Sequence, residues 1–99
     1  MKITVNKSQL STNYPRWLLQ AGYAYERNRQ GQDSFARSAT GSVYPRFHIY
    51  VDEAEQTLVF NLHLDQKKAS YAGQTAHSGE YDNNDLVQQE ANRLQSLLS

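Results

Sequence analysis

The sequence predicts a single α+β domain, in which a mainly antiparallel sheet carries two helices on one face, in the order β-α-β-β-β-α. Three observations lead to this class: a length of 99 residues, period-two apolar alternation over residues 43–64, and helical apolar periodicity near both ends of the chain. Ordinary domains contain about 100–200 residues, so we expect one domain spanning residues 1–99. The net charge of zero and the aromatic content of 11% are typical of a folded chain.

The first strand and the first helix follow from short local signals. Ile3 and Val5 alternate with polar neighbours and predict a strand over residues 2–6. A short helix is predicted over residues 15–21, because Pro15 suits a first helical position and Gly22 suits the residue that ends a helix. The inward stripe of this helix is expected to contain Tyr14, Trp17, Leu18 and Ala21.

The middle of the chain predicts strands. Residues 23–29 alternate and predict one strand, and the run Phe35-Ala36-Arg37 is compatible with the start of another. The clearest pattern is a hairpin with one buried face, because apolar residues keep one parity on each side of a polar turn. They are Val43, Phe47, Ile49 and Val51, then Leu58, Phe60, Leu62 and Leu64. A four-residue loop would pair Asp52 with Thr57. The same register pairs Arg46 with His63, His48 with Asn61, and Tyr44 with Asp65.

The last third of the chain predicts a long loop and then a helix. Residues 66–82 show no apolar period, and loops beyond about 12–15 residues in compact domains are usually functional or disordered. We expect an ordered, partly buried loop, packed by Tyr71, that brings His77 and Glu80 near Asp65. The second helix is predicted by the stripe of Leu86, Val87, Ala91, Leu94, Leu97 and Leu98, with capping oxygens from residues 82–85.

A polar patch is expected on the hairpin face that points away from the helices. Diagonal neighbours on a sheet face lie about 7–8 Å apart, within reach of long side chains. Two imidazoles beside the Arg46 guanidinium could act as acid and base on a phosphodiester, with Arg46 on the phosphate. Asp65 could orient His63, because the partner of one ring nitrogen sets the tautomer. The alternative is that this face is polar only for solubility. The candidate catalytic residues are His48, His63 and Asp65, and the candidate binding residues are Arg46, Tyr50, Tyr71, His77 and Glu80.

Metal and cofactor chemistry finds little support in the sequence. The chain has no cysteine, which excludes disulfides, thiolate zinc sites and a cysteine nucleophile. His48, His63 and Asp65, with His77 or Glu80, could alternatively hold zinc or manganese, but no recognised ligand spacing is present. Phosphate-cradling and nucleophile-elbow motifs are also absent. We therefore expect no metal and no cofactor.

The charge distribution is uneven although the total is zero. Residues 1–50 carry a net charge of +5 (seven basic residues, two acidic), and residues 51–99 carry −5 (three basic, eight acidic). This asymmetry could mark a basic face or help two copies associate, or folding could interleave the halves. No apolar run typical of a signal peptide or a membrane span is visible, so we expect a soluble, cytoplasmic protein.

Two resemblances carry further expectations. The run from Asn61 to Lys67, followed by the run from Ala76 to Asp82, resembles small bacterial proteins of unknown function, which implies no activity. The runs Leu18-Leu19-Gln20-Ala21-Gly22-Tyr23 and Arg46-Phe47-His48-Ile49-Tyr50 are similar to the helix-to-strand turn and the histidine-bearing strand of HicA-type toxins. Those mRNA-cleaving proteins have a double-stranded-RNA-binding-domain-like fold, and the resemblance implies a related fold and a role for His48. Their Gly-Ser-His motif is missing here, since Gln32-Asp33-Ser34-Phe35 stands in its place.

Three functional hypotheses follow. The first is a small cytoplasmic binding domain whose partner is a protein or a second copy of the chain, because no specific catalytic motif is present. The second is a phosphodiesterase or ribonuclease that uses His48 and His63, with Arg46 on the phosphate. The third is a non-catalytic RNA-binding domain, in which tyrosines stack on unpaired bases.

Overall fold

The computed structural model describes residues 1–27, 31, 33–66 and 84–99. These residues form five strands and two α-helices, so the predicted α+β class is confirmed. The strands are β1 (Lys2–Asn6), β2 (Ala24–Arg27), β3 (Asp33–Ser38), β4 (Arg46–Glu53) and β5 (Thr57–Asp65), and the helices are α1 (Tyr14–Gln20) and α2 (Asn84–Ser96). A 3-10 turn, Lys7–Gln9, follows β1.

The sheet is antiparallel throughout, with the strand order β1-β5-β4-β3-β2. The observed order follows the predicted one except for one additional strand between the helices. That strand is β3, which the run around Phe35 only suggested, and it pairs with both β2 and β4. β1 returns to the far edge beside β5, so β1 and β2 are the two edge strands.

Helix α1 begins and ends as its sequence predicts. The side chain of Asn13 accepts a hydrogen bond from the backbone N–H of Arg16 over 3.0 Å, which satisfies a free donor of the first turn. Pro15 lies within that turn, where its missing N–H costs nothing. Gly22 takes a φ of 102°, a value that other residues rarely adopt, and the chain turns there into β2.

The core lies between one face of the sheet and the two helices. Trp17 of α1 stacks on Phe60 of β5, with ring centroids 5.9 Å apart. The other buried apolar residues of this core are Ile3, Val5, Leu18, Ala21, Tyr23, Phe35, Phe47, Ile49, Leu58, Leu62, Ala91 and Leu94. Two residues predicted on buried stripes are exposed instead. Val43 lies before the start of β4 and Leu97 lies beyond the end of α2, so neither is held by a regular element.

A buried carboxylate joins α2 to the rest of the molecule. Glu90 is only 3% exposed and accepts hydrogen bonds from Tyr23, Arg37 and Arg93, with a shortest distance of 2.6 Å to the Tyr23 hydroxyl. Burial alone would raise the pKa of Glu90, but the bonds from Arg93 and Tyr23 and the two positive charges lower it below its ordinary value. Burial and the same carboxylate raise the pKa of Tyr23 strongly. Glu90 is therefore an ionised group held by its partners.

Among the described residues, no helix is long and apolar enough to cross a membrane.

Candidate functional site on the outer face of the sheet

The face of the sheet opposite the helices, here called the outer face, carries the polar residues that the sequence singles out. Arg46, His48 and Tyr50 of β4 alternate with the buried Phe47 and Ile49, so they point away from the core. On β5, His63 and Asp65 alternate in the same way with buried or partly buried leucines. The prediction that these five residues share one face is therefore confirmed by the strand pairing.

The hairpin register differs from the predicted one by two residues. Arg46 pairs with Asp65, His48 with His63, and Tyr50 with Asn61. The difference arises at the turn, where the N–H of Ala54 donates to the carbonyl of Thr57 over 2.9 Å. The turn is therefore two residues rather than four, and the predicted pairs, from Asp52–Thr57 to Tyr44–Asp65, are wrong. Because side chains alternate with period two, a shift of two leaves each of them on its predicted face.

The shifted register changes which histidine Asp65 orients. His48 Nδ1 lies 2.8 Å from Asp65 Oδ2, within hydrogen-bonding distance. The prediction that Asp65 orients His63 is therefore wrong, and His48 takes that place. A carboxylate on Nδ1 fixes the tautomer and leaves Nε2 for proton transfer or ligand binding.

Glu26, on the edge strand β2, completes a ring of four charged or titratable groups. Its Oε2 lies 2.7 Å from Arg46 Nη1, and its Oε1 lies 3.9 Å from His48 Nε2. On the opposite side, Asp65 Oδ2 lies 3.5 Å from Arg46 Nε and contacts His48 as described. We call Glu26, Arg46, Asp65 and His48 the charge ring. Sequence reasoning missed Glu26, because nothing in the chain shows that β2 lies within reach of β4.

The charge ring contains polar atoms that are buried and incompletely bonded. The side chain of His48 is only 9% exposed, and within the described residues its Nε2 and the Nε of Arg46 are buried without a hydrogen-bond partner. Such atoms are uncommon, since nearly all buried polar atoms are hydrogen-bonded. Burial opposes the charge of Arg46, but the hydrogen bond to Glu26 and the nearby carboxylates raise its pKa above the ordinary value. The guanidinium thus carries a full positive charge in this site.

Aromatic rings extend the site across the hairpin. Tyr50 stacks on His48 with ring centroids 4.7 Å apart, and its ring meets His63 edge-on at 5.7 Å. The guanidinium of Arg46 lies 5.6 Å from the ring centroid of Tyr44. Tyr50 thus contacts both imidazoles, by stacking on His48 and edge-on with His63.

The two histidines have different electrostatic surroundings. His63 lies at the surface, but part of its ring is shielded from water. This partial burial and the positively charged amino terminus lower the pKa of His63 below its ordinary value, and His48 contributes in the same direction. The carboxylate of Asp65 acts in the opposite direction without reversing the shift. His63 is therefore a neutral imidazole at pH 7, able to accept a proton.

Tyr71, His77 and Glu80, and with them the predicted ordered loop, lie outside the residues that the structure describes. Within the described part of the chain, no group of three or more histidine, aspartate or glutamate side chains is arranged to hold a metal ion.

Ion pairs across the fold connect the basic and acidic halves of the chain. Lys7 pairs with Glu53 at 2.7 Å, and Arg46 contacts Asp65. Arg37 pairs with Glu90, which is the third such link between the halves. Folding thus interleaves the two halves, as expected from one of the three explanations given for the +5 and −5 distribution.

Comparison with known proteins gives no relative. No protein family, no curated protein and no solved structure matches this chain. The interpretation of the site therefore depends on its own chemistry.

Proposed function

We propose that this protein cleaves RNA by acid–base catalysis on the outer face of its sheet. In this proposal His63 is the general base, His48 is the general acid, and Arg46 binds the phosphate. The observation that carries it is the pairing of the two histidines as direct neighbours on β4 and β5, with Asp65 bonded to one of them. The similarity of the Arg46–Tyr50 run to the histidine-bearing strand of HicA-type toxins implies a role for His48.

The electrostatic surroundings support this division of roles. His63 has a lowered pKa and is exposed, so at pH 7 it is a neutral base that substrate can reach. His48 is bonded through Nδ1 to the carboxylate of Asp65, which orients the ring and leaves Nε2, 3.9 Å from Glu26 Oε1, as the nitrogen that would give the proton. Arg46 supplies a permanent positive charge beside them.

In the proposed reaction the two histidines only transfer protons, and the nucleophile comes from the substrate. His63 removes the proton of a ribose 2′-hydroxyl, and the oxygen attacks the adjacent phosphorus. The bond from phosphorus to the 5′-oxygen breaks, and His48 gives that oxygen a proton. The products are a 2′,3′-cyclic phosphate and a free 5′-hydroxyl, so DNA, which lacks the 2′-hydroxyl, is not a substrate. We propose a cytoplasmic location, for which a cysteine-free chain is suited.

A fluorogenic oligoribonucleotide tests the proposal, with mass spectrometry of the products. We expect cleavage at pH 7 to give cyclic phosphate ends, and His48→Ala and His63→Ala each to lower kcat by at least about 100-fold, the lower limit for loss of a general acid or base. The matched control is Asp52→Asn, which changes an exposed acid of the same face outside the charge ring and should leave activity and Tm unchanged. An all-deoxy oligonucleotide should remain intact.

Two results would overturn the proposal. One is the absence of cleavage by the pure wild-type protein, and the other is full activity in both histidine variants with Tm values near that of the wild type. Either result would favour the hypothesis of a binding domain with a protein partner. Pull-down with the wild type and with Tyr50→Ala would then examine the same face.

A further inference from the structure

The carboxylate of Glu26 lies where an anionic ligand of the site would be expected. Its two oxygens face Arg46 Nη1 at 2.7 Å and His48 Nε2 at 3.9 Å. These are the two groups assigned to the phosphate and to the leaving oxygen. Carboxylates and phosphates are recognised by the same planar arginine geometry, so one can stand in for the other.

A second observation points to a ligand at this position. His48 is about nine-tenths buried, and its Nε2 has no hydrogen-bond partner among the described residues although it faces Glu26. At 3.9 Å the carboxylate is too distant for a hydrogen bond, so it satisfies Arg46 but not the histidine. A phosphate carries more acceptor oxygens than a carboxylate, so it could accept from Arg46 and, when Nε2 of His48 carries a proton, from that nitrogen at the same time.

We infer that Glu26 occupies the anion-binding position of the charge ring, and that a phosphate group binds between Arg46 and His48 by displacing it. This inference depends on the proposed function for the identity of the anion. Glu26 thus acts as an internal competitor of the substrate. Its side chain is suited to leave, because it is 39% exposed and belongs to a four-residue edge strand.

The charges around the position show what phosphate would compete for. Arg46 contributes one positive charge, and Asp65, which contacts both Arg46 and His48, contributes one negative charge. The guanidinium of Arg46 is therefore the group for which phosphate and the carboxylate of Glu26 compete.

Titration with inorganic phosphate, followed through the ¹⁵N signals of the histidine rings, tests the inference. The ion pair between Glu26 and Arg46 competes with phosphate binding, and an exposed ion pair changes an equilibrium constant by up to about fivefold. Glu26→Gln should therefore lower the Kd of phosphate by about two- to fivefold. Glu26→Ala is the second variant, because a glutamine could retain a hydrogen bond to Arg46. Asp52→Asn is the control for simple loss of negative charge and should change the Kd by less than twofold. In all of them the ring signals of His48 should shift with phosphate.

The outcomes separate this inference from the proposed function. An unchanged Kd in both Glu26 variants, or phosphate shifts that leave His48 unaffected, would overturn the inference even if the wild type cleaves RNA. Tighter phosphate binding in the Glu26 variants, without RNA cleavage by any protein, would uphold the anion site and refute the nuclease. Tm values of the Glu26 variants, expected within a few degrees of the wild type, show that the fold is retained.

Discussion

The buried carboxylate of Glu90 provides a direct test of what holds α2 on the sheet. We predict that Glu90→Gln destabilises the protein by about 2–4 kcal/mol at pH 7. Glu90 accepts four hydrogen bonds, two from Arg93 and one each from Arg37 and Tyr23. A glutamine has one acceptor oxygen, so about two charge-assisted bonds are lost, each worth about 1.5–3 kcal/mol. The expected loss is smaller than the sum of these bonds, because the side chains of Arg37 and Arg93 are about one-third exposed and can bond to water instead.

Urea unfolding followed by tryptophan fluorescence measures this loss. Trp17 is the single tryptophan and is 4% exposed, so its emission reports the core. A loss of 2–4 kcal/mol corresponds to a fall in Tm of about 8–30 °C for a domain of this size. The control is Asp85→Asn, the same chemical change at an exposed position of the first turn of α2, which should cost no more than about 1 kcal/mol.

The pH dependence of the Glu90 effect follows from its lowered pKa. A group whose pKa is lower in the folded state stabilises the protein above its unfolded pKa, and this stabilisation is lost as the pH falls through the folded value. The difference between wild type and Glu90→Gln should therefore be full at pH 7 and shrink below about pH 4.3. A variant within 0.5 kcal/mol of the wild type at pH 7 would refute the role assigned to this network.

Two further predictions concern the site and the turn after α1. Asp65→Asn should lower kcat for RNA about 10–100-fold, because it removes the bond that orients His48. The ¹⁵N signals of the His48 ring should then report a changed tautomer, and an unchanged tautomer would refute the positioning role of Asp65. Gly22→Ala should cost about 1–2 kcal/mol, since its φ is 102° and the added Cβ would lie 3.2 Å from Arg37 Nε. Gly41→Ala, at a φ of 95° with nothing within 4 Å, should cost less, and equal losses would show that contact with Arg37 is unimportant.

Local signals in the sequence were sufficient to predict the helices and to assign the buried and polar faces of the hairpin. The start of α1 depends on Asn13 and Pro15 and its end on Gly22, and each acts through its own backbone preference. β3 was less visible, because Phe35 is the main apolar signal in a strand whose other buried residues are small or polar. A strand that is covered by neighbouring elements but has few large apolar side chains of its own gives only a weak period-two pattern in the sequence.

The sequence alone determined that Arg46, His48, His63 and Asp65 share one face, because they alternate with the apolar residues of both strands, and those apolar residues must face the core together. Only the tertiary structure decided their partners. A tighter turn moved Asp65 from His63 to His48, since period two leaves a shift of two residues invisible. The arrival of Glu26 beside Arg46 depended on the order of strands, with β2 as an edge two strands away from β4. Strand order is a global balance of chain connections and packing, and no local pattern of residues encodes it.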